Sequence, residues 1–267
     1  MIDAALARFG EAYARHRAAE GRGHAGEELL SLPYLARGPL ARQWAVRACT
    51  FRAFMRHVVR PEARRLGRPL ALLDLGAGNG WLSYRAALEG HSATALDIRD
   101  DRVDGLDAAA PFLARVPDRI ACLTAAFDAI PLEAASADVT VFNASLHYAT
   151  DLAAVLGEAA RVTRAGGVVA ILDSPFYRRN RQGAAMVAEK RAGARERFGD
   201  SAGELMSLPF IEYLTRDRLT AASAGIGIVW RRRRVLYPLW YELRPLVAAL
   251  YRRRPPSRFD LWWGRRP

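Results

Sequence analysis

The chain has 267 residues, a net charge of +12 and a hydrophobic content of 51%. That share of apolar residues excludes a disordered chain, and the length allows one large domain or a domain with a cap. No apolar run is long enough for a transmembrane helix.

The opening MIDAALARFGEAYARHR has no long apolar segment and no small-residue cleavage site, so no secretory signal is expected and the protein is placed in the cytoplasm. Cys49 and Cys122 form no metal or redox pattern, which suits a reducing compartment. Lys190 is the only lysine, so the positive charge is almost all arginine. Scattered arginines read as solvated surface. The clusters Arg231–Arg234 and Arg252–Arg254 leave attraction to an anionic surface open.

Residues 1–65 read as a helical cap, broken at GRGHAG and near Pro33, Gly38 and Pro39. From residue 66 short apolar runs alternate with helical stretches. The runs are 70–75, 92–98, 119–124, 138–143 and 167–173, apolar at consecutive positions as in strands covered on both faces. The spacing predicts helices over 81–88, from Asp100 or Asp101 toward Pro117, and from Asp151 to Gly166. An arginine-rich helical insertion is expected over about 177–215, then one more helix. Two last strands, 226–237 and 258–264, flank a short amphipathic helix. The fold class is therefore α/β, a doubly wound Rossmann-like sheet of seven strands with the last antiparallel, plus an N-terminal helical cap and helical insertions.

The stretch ALLDLGAGNGWLSY, residues 71–84, places three glycines after a strand and before a helix. Glycine permits unusual dihedrals and close approach of a ligand to the backbone, and the helix start presents free N–H groups. Such a loop belongs at the carboxyl ends of the strands, near the switch in strand order. A dinucleotide fingerprint would carry Gly or Ala where this chain has Trp81. Asp74 would repel a pyrophosphate and attract a cation. Both departures point to a positively charged ligand without a pyrophosphate.

D-L-G-A-G-N-G, residues 74–80, resembles motif I of class I S-adenosylmethionine (SAM)-dependent methyltransferases, and residues 66–175 most resemble the type 11 small-molecule branch. The resemblance implies SAM as cofactor and S-adenosylhomocysteine as product. It sets Asp74 near the amino acid part of SAM, with Gly76, Ala77, Gly78 and Gly80 against it. Asp97, ending ATALDI, is to accept both ribose hydroxyls, and Ile98 is to cover the adenine. Ala126 stands where the family often has aspartate, so backbone at Ala126 and Phe127, or the side chain of Asp128, takes the adenine contact. Asn143 sits beside the methyl donor.

Methyl transfer is an in-line displacement in which positioning supplies much of the acceleration, and an acceptor hydroxyl must also lose a proton. His147 and Tyr148, after the fourth strand, are the candidate catalytic pair; packing is the competing reading for both and carries slightly more weight for His147. Asp173 and Tyr177 follow the fifth strand, and Tyr13, His16 and Tyr34 in the cap are candidates to close over the substrate. The acidic group around Asp97, Asp100 and Asp101 divides into a ribose partner and helix-start residues, so no metal site is expected.

The reaction expected is methyl transfer to a small-molecule or lipid-linked acceptor, at oxygen. The alternatives are an RNA methyltransferase and a non-catalytic SAM-binding protein. Nucleic acid is a poor fit because no RNA-binding module is recognisable. The C-terminal Arg/aromatic segment is read as a charged edge strand followed by an amphipathic helix, with peripheral membrane contact as the second reading.

Overall fold

The computed structural model describes residues 4–267. Seven strands form one sheet: β1 (Ala71–Leu75), β2 (Ser92–Asp97), β3 (Ile120–Thr124), β4 (Ala137–Asn143), β5 (Thr163–Leu172), β6 (Arg231–Arg233) and β7 (Leu261–Arg265). Their spatial order is β3-β2-β1-β4-β5-β7-β6. β7 runs antiparallel to both neighbours, and the other pairings are parallel.

The consecutive apolar residues have a direct cause. Leu72, Val139, Val141, Val168, Ala170 and Leu172 enter one hydrophobic core, while Leu73, Phe142, Val169 and Ile171 enter another on the opposite face. A strand alternates faces residue by residue, so a sheet covered on both sides needs apolar side chains at every position.

Four helices precede the sheet: α1 (Ala4–Ala19), α2 (Gly26–Ser31), α3 (Ala41–Phe54) and α4 (Arg60–Leu66), with a π-helical turn at Met55–Val59 joining the last two. α3 contributes Trp44, Phe51 and Phe54 to the same core as Leu72 and Val139. It is thus one of the sheet's covering layers, whereas α1 packs with Leu205 and Phe210 in a small cluster of its own.

α5 (Trp81–Leu88), α6 (Ala110–Arg115) and α7 (Leu152–Val162) complete the alternation. Asp151 caps α7 by accepting from the N–H groups of Ala153 and Ala154. The helix expected from Asp100 or Asp101 starts later. Asp101 instead accepts from Val103 and Asp104 N–H, closing a turn, and a 3₁₀ segment at Leu106–Ala109 leads into α6.

The insertion folds as α8 (Asn180–Ala192), α9 (Ala194–Phe198) and α10 (Ala202–Leu205), followed by α11 (Arg216–Ala222). The expected strand 226–237 shrinks to the three exposed arginines of β6. Gly227, at φ 68°, lies outside strand geometry, and only Arg231–Arg233 pair with β7. The expected single helix after it divides into α12 (Leu239–Glu242) and α13 (Arg244–Leu250), where Pro245 starts the second.

Candidate active site

The strand order reverses between β1 and β4, and a cavity opens at the carboxyl ends of β1, β2 and β4. The glycine loop forms its floor. Gly76 and Ala77 both donate backbone N–H groups to the Leu96 carbonyl, at 2.8 and 3.0 Å. Gly76 has a φ of 72°, and a Cβ built on it would stand 2.3 Å from Cβ of Ser145. Both conformation and space therefore demand glycine there.

Asp97 ends β2 almost fully buried. One carboxylate oxygen accepts from Gly78 N–H at 2.7 Å and the other from Arg99 N–H at 3.0 Å. Burial pushes its pKa above the usual carboxylate range, against the pull of Arg99. A carboxylate offers about four lone-pair sites, so each oxygen retains acceptor capacity after these two bonds.

Gly76, Ala77, Gly78, Asp97, Ile98, Ala126, Phe127, Asn143 and Tyr148 all line the cavity, as does Asp128. Asn143 keeps a buried side-chain oxygen without a hydrogen-bond partner. Ala144 follows it at φ 58°, a conformation costly for a residue with a Cβ and one that sharply ends β4.

Two expected cofactor contacts lie behind the cavity wall. Asp74 is completely buried beneath the loop, accepts from the Ser83 hydroxyl at 3.0 Å and does not line the cavity. Burial and the nearby Asp97 push its carboxyl up to about 7. Gly80, at φ 76°, caps α5 and packs near Ala95 and Ala109 instead of facing the cavity. Trp81, which breaks the dinucleotide pattern, is buried edge-on against Trp44 and Phe51 of α3.

His147 and Tyr148 sit in a 3₁₀ turn, Leu146–Tyr148, and separate in role. Tyr148 lines the first cavity and a second chamber beside it, and donates its hydroxyl to Tyr13 at 3.0 Å. Burial raises its pKa well above the usual tyrosine range. His147 lines only the second chamber. Burial, Lys190 and Arg47 push its pKa down to about 3, so the ring is neutral at neutral pH, and its Nδ1 has no hydrogen-bond partner.

The second chamber has a volume of about 590 Å³, within the range of small-ligand sites. Its wall carries Arg17, Arg22, Lys190, Arg197, Arg244 and Arg254 against only Glu20 and Glu212. Four of the six cations have carboxylate partners; Arg197 and Arg244 have none among the described residues. Arg22 is buried with its Nη1 unpartnered, and burial with Arg17 and Arg47 lowers its pKa. Burial and the neighbouring Arg197, Arg17 and Arg22 also hold His16 below its usual range, in spite of Glu20.

Sequence reasoning identified Tyr13 and His16 as cap residues but not the chain of contacts that seats the cap. Asn79 donates to the Asp104 carboxylate at 3.2 Å, and Arg17 of α1 pairs with the same carboxylate at 2.8 Å. Phe9 and Phe210 complete the roof, edge to face at 4.7 Å between centroids. Helical spacing from Tyr13 to Arg17 was a usable signal; nothing local pointed from Arg17 to Asp104.

Comparison with known proteins matches residues 73–171 to a family described as a methyltransferase domain. By that match, residues 73–171 are a methyltransferase domain. A malonyl-[acyl-carrier protein] O-methyltransferase from Erwinia pyrifoliae is 34% identical over 109 residues. That stretch spans 40% of this chain and 38% of the relative, well under two thirds of its length.

A geranyl diphosphate C-methyltransferase from Streptomyces coelicolor superposes with a TM-score of 0.63 at 15% identity, covering 99% of this chain and 98% of that one. A 1,6-didemethyltoxoflavin-N1-methyltransferase from Burkholderia thailandensis gives 0.53 at 16% identity, covering 96% and 88%. Both were crystallised with S-adenosylhomocysteine. The methyltransferase domain thus agrees with the fold, the type 11 branch and the SAM cofactor expected from the motifs. The acceptors named for these three proteins differ in chemistry.

Proposed function

We propose that the protein is a SAM-dependent methyltransferase acting at oxygen on a small-molecule or lipid-linked acceptor that carries an anionic group. The observation that carries the cofactor half of this reading is Asp97, a buried carboxylate held by loop N–H groups with lone pairs left for two ribose hydroxyls. SAM supplies, when bound, a methyl group on a sulfonium open to in-line displacement. The glycine loop suits the amino acid part, Ile98 and Phe127 suit the adenine, and the unpartnered Asn143 oxygen suits a polar or cationic group near the donor.

The chamber's excess of cations supports an oxyanion on the acceptor, since an anion there relieves repulsion among crowded guanidinium groups. His147 lines this chamber beside Tyr148, with 4.3 Å between ring centroids. With a pKa near 3 the His147 ring is too weak a base for full deprotonation, so we assign it to positioning the acceptor, whose hydroxyl proton passes to solvent as the methyl arrives. Tyr148, tied to Tyr13, forms the partition between cofactor and acceptor.

Titration calorimetry with S-adenosylhomocysteine, followed by methyl-transfer assays from labelled SAM to carboxylate- and phosphate-bearing alcohols, tests the reading. Micromolar binding and transfer to an anionic alcohol are expected. No binding of the nucleoside refutes it. Tight binding with no transfer to any acceptor favours the non-catalytic reading, and salt-sensitive RNA binding favours RNA as substrate.

A further inference from the structure

The C-terminal Arg/aromatic segment was read as a charged edge strand followed by an amphipathic helix, with peripheral membrane contact as the second reading. Its apolar face points outward. Of the eleven large hydrophobic side chains exposed among the described residues, nine lie between Val229 and Tyr251. Leu239, Leu243, Leu246 and Leu250 recur at spacings of four, three and four, the period of one helical face, and Leu236 lies in the loop before α12; Leu236, Leu239 and Leu250 are each more than 70% exposed. The inward side of α12 is Tyr241, which is buried. Exposed apolar surface gathered in one place marks an interaction site.

Charge surrounds this face with one sign. Residues 229–254 hold eight arginines and one acid, Glu242. Glu242 is already engaged by Arg234 and Arg258. Arg231, Arg233, Arg252 and Arg253 are exposed, and none forms an ion pair among the described residues. A second copy of the chain would set these unpaired arginines against the same cluster, like charge on like. The protruding side chains are mostly aliphatic, which suits hydrocarbon and gives no stacking platform for bases.

We infer that α12, α13 and their flanking arginines dock the protein on an anionic membrane surface, with the leucines entering the acyl boundary and the arginines meeting lipid phosphates. The combination of an aliphatic face and a cationic fringe is the pattern of interfacial helices. The same segment contributes Arg244 and Arg254 to the wall of the second chamber, so docking sets that chamber beside the bilayer. The inference does not depend on methyl transfer and is tested without it.

The test is flotation of the full chain with phosphatidylcholine vesicles carrying phosphatidylglycerol, against phosphatidylcholine alone, alongside light scattering for oligomeric state. Binding to the anionic vesicles, weakened by salt, is expected. Two variants separate the contributions: Leu246→Glu with Leu250→Glu, and Arg252→Glu with Arg253→Glu. Each pair lies on the surface, where substitution leaves the fold intact, and each is expected to lower the vesicle partition roughly tenfold or more. No binding to anionic vesicles overturns the inference, as does binding that both variants retain. A dimer that Leu246→Glu dissolves would assign the face to a second copy, and binding to RNA with none to vesicles would assign it to nucleic acid; either result refutes the membrane reading.

Discussion

Asp97→Asn probes the proposed ribose contact with little change of shape. In the wild type the two carboxylate oxygens accept from Gly78 and Arg99 N–H groups and keep lone pairs for two hydroxyl donors. An amide has one accepting oxygen and one donating NH₂. Whichever way it turns, its NH₂ meets a backbone N–H, and one ribose hydroxyl loses its charged acceptor. A hydrogen bond to a charged group contributes about 1.5–3 kcal/mol. The dissociation constant for S-adenosylhomocysteine should therefore rise roughly ten- to hundredfold. Titration calorimetry measures it, with circular dichroism confirming the fold. His147→Phe, at a residue that lines the second chamber and not the cofactor cavity, should leave the constant within about threefold of wild type. A folded Asp97→Asn protein that binds within about threefold of wild type would refute the argument that this carboxylate holds the ribose.

The remaining expectations concern the loop and a second buried carboxylate. Gly76→Ala imposes a left-handed residue and a Cβ 2.3 Å from Ser145, and should lower stability by roughly 1–3 kcal/mol in urea unfolding; Ser145→Gly, which removes the opposing Cβ, should recover part of the loss, and no recovery would mean that the dihedral alone is responsible. Asp173 follows β5 at φ 48°, and burial pushes its carboxyl up to about 6 against the pull of Arg47 and the nearby Thr50 hydroxyl. Its folded pKa lies above the unfolded value, so the folded state favours the protonated form and stability declines as the pH rises from about 4 through about 6. Asp173→Asn removes this decline and should gain on the order of 2–3 kcal/mol over wild type between about pH 4 and pH 8. Denaturant titrations at the two ends measure it; parallel pH dependences would show that the carboxylate is better solvated than its burial implies.

Much of the fold could be read from sequence because its signals are local. Alternating residues of β1, β4 and β5 enter opposite cores, so the need for apolar side chains on both faces is written in consecutive positions such as Leu72 and Leu73. The glycine loop was legible for a similar reason: a sharp strand-to-helix turn needs particular backbone dihedrals, and residue type reports them directly. Asp97, Ile98, Ala126, Phe127 and Asn143 follow because each ends a strand or its loop at one rim of the sheet.

What the chain alone left undecided depends on where distant segments meet. Asp74 and Gly80 lie in the motif but behind the cavity wall, because the close turn at Gly76 brings the backbone of the loop to the front. The roof rests on Arg17 and Asp104, 87 residues apart, and no periodicity links two charges at that separation. The cationic chamber gathers α1, the insertion, Arg244 of α13 and the segment after it, and their arginines are far apart in the chain. The leucines of α12 and α13 show the limit most clearly. Helical spacing fixes that they share a face, but it does not tell whether that face is inward or outward, since the direction is set by the neighbours against which the helix packs. Sequence determined the elements, the loop and the cofactor class; tertiary structure decided the roof, the cationic second chamber and the outward apolar face.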